Sequence, residues 1–176
     1  MPLRVRHVLH PSPRPESGVF RRAVPDEPGG HGYDYADSFE VVLGQPDTHP
    51  AEQWVRTALE DVHPLVRRLI QVAHTRVLRF ELGPYDERHI LGWRIAGSEH
   101  DVLQIEAAGP LGRGVIVARR SAPTTAVATT YVFFTRRRSR VIWVFVGPLH
   151  RRVAPFLLTR AARTLARDTV RPGAAA

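Results

Sequence analysis

Apolar positions along the chain change period several times, and each change marks an element. From residue 35, Asp37, Phe39, Val41 and Leu43 alternate with Ser38 and Glu40, the period-two spacing of a strand. A turn over 44–47 follows. Pro50 suits the first turn of a helix in which Trp54, Val55, Ala58, Leu59 and Val62 share one face. His63-Pro64 ends that helix and starts a second, with Leu65, Leu69, Val72, Ala73, Val77 and Phe80 on one face and Arg67, Arg68 and Gln71 opposite. After Gly83-Pro84 the period returns to two. Short strands are predicted over 90–96, 102–107 and 114–119, separated by Gly97 and by Gly109-Pro110-Leu111-Gly112. Two apolar strands, 124–134 and 141–146, then lead into a long amphipathic helix over 148–167, whose apolar side carries Val153, Ala154, Leu157, Leu158, Ala161 and Leu165.

Closely spaced turns favour hairpins, so the sheet is expected to be mostly antiparallel. The pattern predicts an α+β fold of the helix-grip kind: six or seven curved strands around a long C-terminal helix, with two short helices after the first strand. Residues 1–32 carry six prolines and Gly29-Gly30 and read as an arm with a short strand over 3–9. Residues 33–168 read as one domain, and 169–176 as a frayed tail.

This order of elements resembles the START-like (SRPBCC) helix-grip superfamily, which includes the birch-pollen allergens and bacterial polyketide cyclases. More locally, three features resemble the bacterial family called domain of unknown function 2867: Asp34-Tyr35-Ala36-Asp37-Ser38-Phe39, Trp54 in the first helix, and Gly147-Pro148-Leu149-His150-Arg151. The likeness covers residues 33–165. It departs at Glu99-His100-Asp101-Val102, where that family has an Asp-Arg-His-Leu-like run. The resemblance implies a fold, and no activity follows from it.

A loop over 135–139 would place Tyr131, Phe133, Val141, Trp143 and Phe145 on one face of the closing hairpin and Val132, Phe134, Ile142 and Val144 on the other. Both faces are apolar, so both need cover. Either they form a two-sided core, or the aromatic face lines a cavity between sheet and helix, where Ala154, Ala161 and Ala162 leave room. The second reading makes Trp93, Tyr131, Phe133, Trp143, Phe145, Leu157 and Arg76 candidate ligand-binding residues. Arg76 projects inside the apolar arc of the second helix, and Arg160 lies at the edge of the last one's. A buried guanidinium there needs a protein carboxylate such as Glu81, Asp101 or Glu106, an exit to solvent for its stem, or an acidic ligand group.

The 176 residues carry no Cys, which removes disulfides and thiolate chemistry, and a formal charge of +8 in which every basic residue is Arg. Arg136, Arg137, Arg138 and Arg140 cluster at the predicted hairpin tip, either as a solvated turn or as a site for a polyanion. No spacing among the nine histidines has the form of a metal site; His100-Asp101 reads as a turn, and His150 as a cap or surface residue, or alternatively as a general acid. No nucleophile elbow or dinucleotide loop occurs, and no cofactor or metal is expected. No apolar run approaches the roughly 18 residues of a membrane span, and the N-terminus has no uninterrupted apolar core like that of a signal peptide, so a cytoplasmic location is the expectation. The leading functional expectation is a binder of a small apolar or weakly acidic molecule. The alternatives are a polyketide cyclase or aromatase-like enzyme, and a non-enzymatic interaction protein using the Arg-rich tip. Further partners compatible with the sequence are a second copy of the chain, nucleic acid and an anionic membrane surface.

Overall fold

The computed structural model describes residues 17–25 and 32–170. It is an α+β, helix-grip-like fold. Its seven strands are β1 (Gly18–Arg22), β2 (Tyr35–Val42), β3 (His89–Ile90), β4 (Trp93–Ser98), β5 (Val102–Gly109), β6 (Gly112–Ala122) and β7 (Thr125–Phe134). They form one antiparallel sheet in the order β1-β2-β7-β6-β5-β4-β3. Helices α1 (Ala51–Leu59) and α2 (Pro64–Val72) follow β2, a π-helical turn (Ala73–Val77) extends α2, and α3 (Arg137–Val170) closes the chain.

Local chemistry accounts for the joints. Pro64 stands at the first turn of α2, and the His63 side chain accepts a bond from the Leu65 amide. Leu91 and Gly92 connect β3 to β4 with φ of 50° and 84°, the two positive angles that a tight hairpin turn of this hand needs.

The helices pack on one face of the sheet. On that face Val41 and Ala126 meet Trp54, Ala58, Leu157, Ala161 and Leu165 from α1 and α3, while Leu103 and Ile105 pack with Ala51 and Val55 of α1, and Phe80 packs on Trp93. The opposite face carries Val115, Val117 and Tyr131, against which Val24 and Tyr33 pack.

Three expectations need correction. The predicted arm contains β1, which pairs with β2 along its whole length; the predicted strand over 3–9 and the tail beyond 170 lie outside the described residues. Residues 141–146 are helix rather than strand. Both edges of β7 are already taken, one by β2 and the other by β6, so a hairpin partner has no place to pair. The apolar run instead extends the inward row of α3 backwards at helical spacing, through Trp143, Gly147, His150 and Ala154 to Leu157 and Ala161. Consequently Arg136 precedes α3, and Arg137, Arg138 and Arg140 lie in its first turn, not on a hairpin tip.

Candidate functional site

Helix α3 runs along β2, and two features lie beneath it. Toward its C-terminal end is a cleft of about 320 Å³, lined by Val19 of the edge strand β1, by Val41 of the neighbouring β2, by Trp54 of α1, and by Ala162, Arg163 and Ala166 of α3. Small side chains on α3 stand where larger ones would fill the space. That volume lies at the lower end of the range of small-molecule sites. Asp47 also borders the cleft; its carboxylate accepts a 2.7 Å bond from the Trp54 indole and contacts the His49 ring. Burial alone would raise the Asp47 carboxyl, but the bonds from Trp54 and His49 outweigh it and hold its pKa below the ordinary value.

Toward the N-terminal half of α3 is a buried polar cluster. The Tyr35 hydroxyl donates to Asp37 Oδ2 at 2.7 Å, and His150 Nδ1 lies 3.0 Å from the same oxygen. The Asp37 side chain is fully buried, and among the described residues neither its Oδ1 nor the buried indole nitrogen of Trp143 has a hydrogen-bond partner. Burial pushes the Tyr35 phenol well above its ordinary range, and the hydrogen bond to Asp37 and that carboxylate's charge add to the rise, against opposing pulls from Arg151 and Arg21. Gly147 makes the close approach possible: a Cβ there would stand 3.3 Å from Trp143 Nε1 and 3.4 Å from the Tyr35 ring. Tyr35, Asp37, Gly147 and His150 all belong to the two segments, 34–39 and 147–151, singled out in the sequence. Chemically the arrangement orients an imidazole with a carboxylate and leaves one acceptor and one donor unpaired among the described residues. The cavity beside Trp143, under Phe134 and Ile142, is only about 20 Å³, space for a single water.

The residues selected from the sequence as ligand-binding do not converge. Trp93 is buried beneath the π-turn, where its indole donates to His74 Nδ1 at 3.3 Å. Tyr131 and Phe133 project from the opposite face of the sheet; the Tyr131 hydroxyl donates to the Pro25 carbonyl, and the Arg113 guanidinium lies 4.5 Å over the Phe133 ring. Trp143 faces inward onto Tyr35 and Phe134. Phe145 is 76% exposed, Leu157 is buried against α1, and Arg76 is exposed on the π-turn instead of buried in an apolar arc. Arg160 donates to the Asp61 carbonyl, so its partner is backbone and not a carboxylate or ligand. His100 and Asp101 sit exposed in the β4–β5 turn. Arg136, Arg137, Arg138 and Arg140 are exposed; Arg136 donates to the Pro110 carbonyl and Arg140 pairs with Asp34. Among the described residues no three His, Asp or Glu side chains gather as a metal site.

His74 sits against Phe80 and Trp93, and its pKa is lowered to about 4 by burial, assisted by the charge of His150. The unfolded chain takes up this proton near pH 6.5 and the folded chain only near 4, so stability is full above pH 6.5 and falls as the pH drops toward 4. The expected loss is up to about 3 kcal/mol. Urea unfolding across this interval checks it: His74→Gln flattens the dependence, and an unchanged slope in the variant would assign the loss to other groups. Asp47, with its depressed pKa, contributes stability that is lost only at more acid pH.

Comparison with known protein families and with curated proteins finds no match to this chain.

Proposed function

We propose that the protein binds a small, mainly apolar molecule bearing an acidic group, reversibly, in the cleft between the β1–β2 edge and the C-terminal half of α3. The observation that carries this reading is the cleft itself: about 320 Å³ of space, bordered mainly by aliphatic side chains and Trp54, with one guanidinium, Arg163, at its border. An apolar body gains by leaving water for Val19, Val41 and Trp54, and a carboxylate gains a charge-assisted bond from Arg163. Ligands whose acidic end lies close to Asp47 are disfavoured by like charge. The reading accords with a proposed place among the START-like helix-grip proteins, since the two segments resembling domain of unknown function 2867 meet at Asp37 and His150.

Calorimetric titration with a medium-chain fatty acid and with the alcohol of the same length tests the proposal. Arg163→Ala is expected to weaken the acid by about tenfold and leave the alcohol nearly unchanged. Equal weakening of both, or no binding of either to the wild type, contradicts it.

A second reading, an enzyme of the cyclase or aromatase type that moves protons within a flexible substrate, is favoured by one observation. Asp37 holds Nδ1 of a partly exposed His150, the relation of an orienting group to a base. Turnover of a polyketide-like substrate that disappears in His150→Gln, with binding retained, is the result that this reading requires.

A further inference from the structure

The outer surface formed by α2, its π-turn and α3 as far as Arg167 is apolar, and these stretches carry no carboxylate. Among the described residues twelve large hydrophobic side chains are exposed, and nine of them lie on α2, its π-turn and α3. On α3, Val141, Val144, Phe145, Leu149 and Phe156 are 57–76% exposed and fall on one side at 100° per residue, a stripe about 22 Å long. On α2, Leu65 and Leu69 are about 70% exposed, while the neighbouring Val66 and Ile70 pack against the core that includes Leu157. Exposed apolar surface on this scale marks a contact with something else.

Charge selects the partner. The sequence contains no Asp or Glu over 62–80 or 107–167, and these stretches hold Arg67, Arg68, Arg76 and Arg79, and then nine arginines from Arg136 to Arg167. The first turn of α3 has no acidic residue and carries arginines instead, at the end of the helix where the backbone dipole already favours anions. Arg152 lies at the middle of the stripe by helical projection and is exposed. A second copy of the chain would bring arginine onto arginine there, with no carboxylate on the same surface to compensate. A nucleic acid would satisfy the arginines and leave Phe145 and Leu149 in water.

We propose that this face lies on an anionic lipid membrane, with α3 parallel to the bilayer plane, Val141, Phe145, Leu149 and Phe156 in the acyl boundary and the arginines among the phosphates. Long guanidinium stems reach from an apolar surface to headgroups, so Arg152 fits the same plane. α3 is long and apolar enough over Arg137–Thr169 to cross a bilayer by length and composition. Its opposite side, however, is held by Trp143, Leu157, Ala161 and Leu165 against the sheet and α1, which fits a helix lying on the membrane rather than through it.

Flotation of the full chain with vesicles of phosphatidylcholine alone, or mixed with phosphatidylglycerol, tests this. The chain is expected to float with the mixed vesicles and to stay behind with the neutral ones. Phe145→Glu and Leu149→Glu should each cut the floated fraction by about tenfold with an unchanged melting curve, because both side chains are already exposed. Neutralising Arg137 or Arg138 should cost about fivefold each, and added salt should mimic the loss. Failure to float overturns the proposal, as does binding that depends on the arginines but is indifferent to both Glu variants. A concentration-dependent dimer in lipid-free sedimentation, abolished by Phe145→Glu, would instead assign the face to a second copy.

Discussion

Trp54→Ala is expected to lower the unfolding free energy by about 4 kcal/mol, the largest stability loss from any single side chain named here. Trp54 is 4% exposed and joins α1 to α3 and β2, within the cluster of Val41, Ala58, Leu157 and Leu165. Truncation removes that packing, opens a void continuous with the neighbouring cleft, and deprives the buried Asp47 carboxylate of its indole donor. Trp54→Phe separates the contributions: it keeps most of the ring and loses the hydrogen bond, at an expected cost of about 1–3 kcal/mol. Chemical denaturation of both variants measures the difference. Equal losses would place the weight on the Asp47 bond alone, and a loss below about 2 kcal/mol for the alanine variant would contradict its role as the joint of the helical layer.

Filling the cleft should have the largest effect on binding. Ala162→Phe places a ring in space that is otherwise empty, so the usual penalty for enlarging a packed side chain is small. Affinity for an apolar acid is expected to fall at least about a hundredfold, while the melting temperature holds or rises. Retained affinity in a stably folded Ala162→Phe protein would move the ligand elsewhere. The same substitution leaves Tyr35, Asp37 and His150 untouched, so an activity that survives it would belong to the polar cluster.

Much of the fold was legible because period-two runs and their turns are local signals. β2, β5, β6 and β7 all appear near their expected positions, as do α1 and the start of α2 at Pro64. The run Val141-Ile142-Trp143-Val144-Phe145-Val146 was not legible as helix. Its β-branched residues favour a strand, and only the occupation of both edges of β7 by β2 and β6 decides otherwise. That one misplacement carried Trp143 and Phe145 onto a common face with Tyr131, whereas the three occupy an inward helix side, an outward helix side and the far face of the sheet.

The candidate site was legible only in fragments. Asp37 and His150 meet across 113 positions of sequence, and nothing local to either announces the other. Both were nevertheless inside the short segments that carried the family resemblance, and Gly147 is the residue that lets Trp143 and Tyr35 close over them. Of the three small residues expected to leave room beneath the last helix, Ala162 lines the cleft, whereas Ala161 is packed in the core and Ala154 lies outside the cleft. The contribution of β1 was hidden, because a strand of five residues in a proline-rich segment gives too short a pattern to stand out.

Native mass spectrometry of the purified protein, before and after denaturing extraction of small molecules, bears most directly on the cleft as a binding site. A discrete adduct of a small apolar acid, displaced by added fatty acid and absent from Ala162→Phe, is the expected result. A wild-type protein that takes up no member of a fatty and aromatic acid panel, or an adduct equally present in Ala162→Phe, would contradict the account.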